Sequence, residues 1–175
     1  FKEVKILEPS MAVSMGADEI DVVIPVGTFL KGDIDTVIDE LKAIREAAGN
    51  STLKVILETG LLKDERNIYR ASIIAMESGA DFVKTSTGKS SVSATPEAAW
   101  VICRAIRDYY NETGIMIGFK PAGGIVTPND AFIYYFIVKN MLGAKWLTPE
   151  YFRIGASRLA NHILSEFYPG KPAYY

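Results

Sequence analysis

The sequence predicts an α/β protein made of five consecutive βα units, the C-terminal five of a TIM (β/α)8 barrel. Short β-branched runs alternate with longer amphipathic stretches at intervals of roughly 30 residues, which is the length of a βα unit. The chain has 175 residues, whereas a complete eight-stranded barrel needs about 250. It opens with a helical pattern and lacks GxGxxG and P-loop motifs, so an open doubly wound sheet is the less favoured alternative. We therefore expect one domain over residues 1–175.

Five short runs of β-branched and aromatic residues are the candidate strands. They are Glu19 to Ile24, Leu53 to Glu58, Phe82 to Thr87, Ile115 to Lys120, and Phe152 to Gly155. Because a helical stretch lies between each pair, the strands are predicted to run parallel and to neighbour one another in chain order.

The helices between the strands carry clear start and stop signals. Thr95-Pro96 and Thr127-Pro128 each place a hydroxyl at the N-cap and proline in the first turn, and a further helix is predicted from Asp33. Helix ends are predicted at three glycines, Gly49, Gly79 and Gly143. Pro9 either kinks the opening helix or delays its start.

The segment from Ala131 to Val138 is apolar on all sides. This pattern predicts a helix that is buried on both faces, either in the core or at a subunit contact. The core is the expected location, and a homodimer is the assembly expected if the segment forms a subunit contact.

Composition excludes several classes of function. Lysine and arginine number 19 against 21 acidic residues, a net charge of -2, so no basic stripe is available for nucleic acid. The longest apolar stretch is far shorter than the roughly 20 residues of a membrane span. The single cysteine, Cys103, and the single histidine, His162, exclude a disulfide framework or a zinc cluster within the chain. We expect a cytoplasmic protein without metal or cofactor.

Strand alternation directs charged side chains to one side of the sheet. In a barrel, large aliphatic residues face the helices and alternate residues face the interior. This rule points Asp21, Lys54, Glu58, Lys84 and Lys120 to the interior. Burying charges is costly unless they are paired, so the cluster predicts either a reactive site or an ion-pair network that holds the barrel together, with Lys54 and Glu58 as the best candidate pair.

Lys84 and Lys120 are predicted to lie on neighbouring strands. At about 5 Å two ammonium groups repel by roughly 3 kcal/mol, which lowers one lysine pKa by about two units. A neutral lysine attacks carbonyls to form an iminium, and a carboxylate such as Asp21 can shuttle protons. We expect Cys103 to be an inert thiol inside a helix and His162 to be partly packed on a terminal helix, so hydrolase chemistry is less favoured.

Glycine-bearing turns follow the last three strands and predict a site for a phosphorylated substrate. Exposed backbone amides near the last two strands of a barrel commonly bind phosphate, and two cations adjoin these turns. The predicted phosphate-binding residues are Gly88, Lys89, Gly123, Gly124, Gly155, Ser157 and Arg158.

Five segments together resemble the deoxyribose-phosphate aldolase family of class I aldolases. They are GADEIDVV from Gly16, LKVILETG from Leu53, DFVKTSTGK from Asp81, GFKPAGG from Gly118 and FRIGAS from Phe152. The resemblance implies a TIM barrel and the reversible cleavage of 2-deoxy-D-ribose 5-phosphate to acetaldehyde and D-glyceraldehyde 3-phosphate. It also implies that Lys84 is the Schiff-base lysine, that Lys120 perturbs it and that Asp21 transfers protons. The alternatives are a related class I aldolase for another sugar phosphate and a catalytically inactive sugar-phosphate binding domain.

The chain departs from this family at three places. The family's first three strands have no counterpart here. Val126 occupies a position where the family commonly has an arginine, and Arg158, where the family often has a serine, is predicted to supply that charge. Tyr175 is either the counterpart of a terminal tyrosine that relays protons in some members or part of a tail without that role.

Overall fold

A parallel four-stranded sheet forms the centre of the computed structural model, which describes residues 1–168 and 170. The strands are β1 (Glu19–Val23), β2 (Thr52–Ile56), β3 (Phe82–Lys84) and β4 (Gly118–Lys120), hydrogen-bonded in chain order. The predicted parallel order is confirmed, although each strand is shorter than predicted. Beyond the strands single bonds continue the ladder, as from Leu57 N–H to the Lys84 carbonyl at 3.0 Å.

The predicted fifth strand lies in the expected place but does not form a continuous strand. Segment 152–155 meets β4 and the turn after it through two isolated bridges, Phe119 with Phe152 and Ala122 with Gly155. Pro121 lies between these bridges and has no N–H to donate, so the ladder lacks a bond there. The ladder resumes where Gly155 N–H donates to the Pro121 carbonyl at 2.9 Å.

Eight α-helices and a short 3-10 helix accompany the sheet within the described residues. They are α1 (Lys2–Ser14), α2 (Val26–Leu30), α3 (Ile34–Ala48), α4 (Thr59–Leu62), α5 (Glu65–Glu77), α6 (Pro96–Thr113), α7 (Pro128–Met141), the 3-10 helix (Ala144–Trp146) and α8 (Leu159–Phe167). None of them is long and apolar enough to cross a membrane.

The helix boundaries follow the predicted signals. The side chains of Asp33, Thr95 and Thr127 each accept a hydrogen bond from a backbone N–H in the first turn of α3, α6 and α7, respectively. Gly49, Gly79 and Gly143 follow the last turns of α3, α5 and α7 with positive φ angles, the conformation that favours glycine there. Pro9 lies inside α1, so the helix does not start late.

Helix α7 is not buried on both faces as predicted. Tyr134 and Val138 pack into the core, whereas Phe132, Ile133 and Phe136 are 45–55 % exposed. One face therefore packs on the protein and the other carries aromatic side chains in the open, so the core location holds for only half of the helix.

The two faces of the sheet separate apolar from charged side chains. Val22, Val55, Val83 and Phe119 are buried between the sheet and the helices. The alternate residues of the same strands carry the carboxylate and ammonium groups on the opposite face. The predicted alternation is therefore confirmed for Asp21, Lys54, Lys84 and Lys120 but not for Glu58, and it brings charges from four strands together.

Candidate active site

The carboxylate of Asp21 lies at the centre of the charged face. Its Oδ2 atom is 2.6 Å from Nζ of Lys84 and 3.1 Å from Nζ of Lys120, while Oδ1 is 3.1 Å from Nζ of Lys54. The four residues come from four adjacent strands, and in the backbone register Asp21 lies beside Lys54 and Lys84 beside Lys120. One carboxylate is thus shared by three ammonium groups.

A second carboxylate extends this cluster toward the start of the strands. Oε2 of Glu19 lies 2.5 Å from Nζ of Lys54 and 2.6 Å from Nη1 of Arg153. The guanidinium of Arg153 also lies 5.3 Å from the ring centre of Phe82. Because Arg153 belongs to segment 152–155 and Glu19 to β1, this ion pair joins the two ends of the curved sheet.

Glu19 and Arg153 were not predicted as members of the cluster. The signal for both was present, since Glu19 precedes Asp21 by two residues and Arg153 stands between two apolar residues of the last predicted strand. The alternation rule, applied to the full length of each strand, places both on the charged face.

The predicted pairing of Lys54 with Glu58 is wrong. Lys54 bonds to Glu19 and Asp21, while the carboxylate of Glu58 accepts hydrogen bonds from Thr87 and Ser90. The reason is local, because Glu58 leaves the extended conformation for the left-handed region, with φ at 55°. This change turns its side chain away from the β2 alternation.

The cluster carries more positive than negative charge. Four cations, Lys54, Lys84, Lys120 and Arg153, surround the carboxylates of Glu19 and Asp21. The side chains of Lys84 and Lys120 are only 13 % and 19 % exposed, so solvent screens the excess charge weakly. The arrangement favours an anionic ligand and the loss of a proton from one lysine.

The surroundings of Asp21 keep it ionised. Burial alone would raise the pKa of its carboxyl, but the hydrogen bonds from Lys84, Lys54 and Lys120 outweigh that effect and hold the pKa well below its usual range. Asp21 is therefore a carboxylate, not a carboxylic acid, at neutral pH.

Whereas the surroundings of Asp21 favour its charged form, those of Lys120 disfavour its charged form. Burial lowers the pKa of its ammonium group and the charges of Lys84 and Lys54 lower it further, while the Asp21 carboxylate works against both. Repulsion between the two ammonium groups was expected to lower one lysine pKa in this pair; the pKa that is lowered is that of Lys120, and burial rather than repulsion is its largest cause.

Two of the predicted phosphate-binding turns meet at the ends of β3 and β4. Gly88 and Gly123 both have positive φ, and a Cβ on Gly123 would lie 3.0 Å from Cα of Gly88 and 2.6 Å from Ser93. A side chain on Gly123 does not fit at this contact, whereas at Gly88 the positive φ, rather than a lack of space, favours glycine.

The amides of these turns are not all free for a ligand. Gly123 N–H donates to the Gly155 carbonyl at 3.2 Å, and Gly155 N–H is bonded to Pro121, so both glycines join the turns to each other. Lys89, Gly124, Ser157 and Arg158 are exposed around them. The turns thus form an open rim beside Lys84 and Lys120.

Three further predicted residues have different outcomes. Cys103 is fully buried in α6, as predicted, and burial raises the pKa of its thiol. His162 lies on the terminal helix α8, as predicted, but it is exposed rather than partly packed. Tyr175 lies outside the described residues.

The side chains around Asp21 form an arrangement in which an amine can react with carbonyl compounds. Lys84 is a primary amine that contacts a carboxylate base, and a second lysine shares the same carboxylate oxygen. An amine of this kind condenses with an aldehyde or ketone, and the neighbouring base can then move protons.

Comparison with known proteins gives matches along most of the chain. The family model described as DeoC/LacD family aldolase matches residues 2–142. A human protein named deoxyribose-phosphate aldolase is 50 % identical over 161 residues, which cover 92 % of this chain and 51 % of the human protein. A protein of the same name from Agrobacterium fabrum strain C58 is 47 % identical over 96 % of this chain and 64 % of its own length. This chain therefore spans about half to two thirds of the relatives that it matches.

The likeness extends to solved structures. The structure described as the unique tetrameric structure of deoxyribose phosphate aldolase from Aeropyrum pernix superposes with a TM-score of 0.71 at 26 % identity. The match covers 96 % of this chain and 63 % of that one. It supports the predicted fold class, a parallel α/β sheet that is part of a TIM barrel.

Proposed function

Because this chain belongs to the DeoC/LacD family of aldolases, we propose that it carries the Schiff-base site for reversible cleavage of 2-deoxy-D-ribose 5-phosphate. The products are acetaldehyde and D-glyceraldehyde 3-phosphate. The observation that carries the proposal is the Asp21 carboxylate, which Lys84 and Lys120 share at 2.6 and 3.1 Å. A reactive amine, a base and a second cation are thus within one contact of each other.

Lys84 is the nucleophile in this proposal. Its neutral amine attacks the C1 aldehyde of the open-chain sugar, water leaves, and an iminium forms. A base removes the proton of the C3 hydroxyl, the C2–C3 bond breaks, and its electron pair flows into the iminium to leave an enamine. Protonation of C2 and hydrolysis then release acetaldehyde and regenerate the lysine.

Asp21 and Lys120 serve the proton transfers. Asp21 is ionised and accepts protons directly or through water. Two ammonium groups on one carboxylate oxygen repel, so in this proposal Lys120 acts on Lys84 through the repulsion between their charges. Lys120, whose pKa is lowered by burial, donates a proton to the carbinolamine hydroxyl that leaves as water.

The substrate phosphate is assigned to the rim formed by the turns after the strands. Exposed Lys89 and Arg158 supply charge, and the backbone near Gly88, Gly124 and Ser157 supplies amides. Gly123 and Gly155 shape this rim by joining its turns.

Replacing Arg158 with alanine is expected to raise the Michaelis constant for the phosphorylated sugar about tenfold or more. A charge-assisted hydrogen bond contributes roughly 1.5 to 3 kcal/mol, which corresponds to that factor. Steady-state rates with 2-deoxy-D-ribose 5-phosphate and with unphosphorylated deoxyribose measure the effect, and the second substrate should be almost unaffected. Equal losses on both substrates would show that Arg158, which precedes α8, supports the fold instead.

The proposed reaction is tested by acetaldehyde release from 2-deoxy-D-ribose 5-phosphate, with Lys84→Arg as a control that keeps the charge. Release of acetaldehyde by the unaltered chain but not by Lys84→Arg supports the proposal. An acetaldehyde adduct without cleavage of this sugar would favour a related aldolase for another sugar phosphate. Absence of both would favour a sugar-phosphate binding domain.

A further inference from the structure

We propose that Glu58 is a positioning residue that holds the loop after β3, residues 85–95, in the shape that receives the substrate phosphate. This inference rests on the proposed function and on a set of contacts that the Schiff-base chemistry does not use. One carboxylate oxygen of Glu58 accepts from the Thr87 hydroxyl at 2.5 Å, and the other accepts from the Ser90 hydroxyl at 2.7 Å. These two donors flank Gly88 and Lys89.

The position of Glu58 is set by its backbone. Glu58 is 6 % exposed and has φ 55° and ψ 59°, a left-handed conformation that costs a residue with a side chain about 1 kcal/mol or more. The next residue, Thr59, donates its N–H to the Thr85 carbonyl at 2.9 Å, which fixes the chain at this point. The fold therefore keeps a strained glutamate where its only described side-chain partners belong to the loop after β3.

The loop after β3 is in contact with other segments of the chain on both of its sides. On the Glu58 side, a Cβ on Gly60 would lie 2.5 Å from the Val92 carbonyl oxygen, so the two backbones are in direct contact. On the other side, Ser93 packs on Gly123, and Ala94 N–H donates to the Ala122 carbonyl at 3.2 Å. The loop is thus packed between segment 58–60 and the turn that follows β4.

Charge alone would make Glu58 unfavourable at this place. A carboxylate beside an anion site repels the anion, so removing its charge without changing the loop would strengthen phosphate binding. If Glu58 acts by accepting hydrogen bonds from Thr87 and Ser90, its loss must weaken binding. The direction of the change therefore separates positioning from simple electrostatics.

The test measures binding of inorganic phosphate to the full chain by titration calorimetry. Glu58→Gln keeps the size of the side chain but leaves one oxygen in place of two, and it is expected to weaken binding about tenfold. Glu97→Gln is the matched control, because it removes the same charge from an exposed residue at the start of α6, and it should leave binding unchanged or slightly stronger. Ser90→Ala removes one donor and should weaken binding about threefold, which keeps the test open if Glu58→Gln does not fold.

Unchanged or tighter phosphate binding by folded Glu58→Gln would overturn the proposal, and so would absence of phosphate binding by the unaltered chain. Reductive trapping of Lys84 with acetaldehyde, which has no phosphate, is measured in parallel. We expect Glu58→Gln to retain that adduct. Absence of the adduct in the unaltered chain would reject the proposed function. The role of Glu58 is tested separately, by the measurement of phosphate binding.

Discussion

Replacement of Asp21 with asparagine is expected to reduce Schiff-base formation by a factor of 10² or more. General acid–base groups contribute about 10²–10⁴-fold, and Asp21 is the carboxylate that contacts Lys84. The same change leaves Lys54, Lys84 and Lys120 without their shared counter-charge. Because the Asp21 side chain is 29 % exposed, we expect a loss of about 1–3 kcal/mol in the free energy of unfolding, below the range for a fully buried pair.

The stability effect of Asp21→Asn should depend on pH in a defined direction. The pKa of Asp21 in the folded protein lies below its unfolded value of about 3.9, so its stabilisation is complete above that value and is lost as the pH falls toward the folded pKa. Urea unfolding of both proteins between about pH 3 and pH 7 measures this, and the difference between them should shrink in acid. Exposed Asp18, replaced with asparagine, is the matched control. A difference that stays constant with pH would contradict the ion-pair account.

Replacement of Lys120 with leucine is expected to remove most of the adduct-forming activity at neutral pH while the fold persists. The variant loses the cation that shares an oxygen of Asp21 with Lys84, so the pH–rate profile should shift to alkaline values. The measurement is the rate of adduct formation with acetaldehyde between about pH 6 and pH 10. An unchanged profile would reject an electrostatic role for Lys120.

Stability provides a second signature of Lys120. Its pKa in the folded protein is lower than in the unfolded chain, so its charge disfavours folding at neutral pH and this cost is relieved as the pH rises toward about 10.4. Lys120→Leu should therefore lose this alkaline rise in stability, while exposed Lys42→Leu on α3 should retain it.

The elements that position the site could be predicted because they obey local rules. Strict alternation placed Asp21, Lys84 and Lys120 on one face, and the threonine–proline pairs fixed two helix starts. The resemblance to deoxyribose-phosphate aldolases added the expected roles of these residues. It could not add the geometry, since the sharing of Asp21 by three lysines depends on side-chain reach across four strands.

The features that were missed depend on single backbone positions or on packing between distant segments. The side chain of Glu58 does not follow the alternation of β2 because its φ is positive. No residue pattern in that segment predicts a positive φ at this position. Pro121 interrupts the last strand pairing at one bond, which matters only once Phe119 and Gly155 are known to be paired partners. The apolar composition of α7 does not reveal which of its faces packs on the protein.

The most direct test of the central claim is reductive trapping of the full chain with acetaldehyde and borohydride, followed by peptide mass mapping. Reduction converts the iminium to a stable ethyl-lysine, so the modified residue is identified by its peptide. We predict the ethyl group on Lys84, which contacts the ionised carboxylate of Asp21 at 2.6 Å, and its loss in Lys84→Arg. Modification confined to Lys120 or Lys89, or absence of any adduct, would contradict the assignment of Lys84 as the Schiff-base lysine.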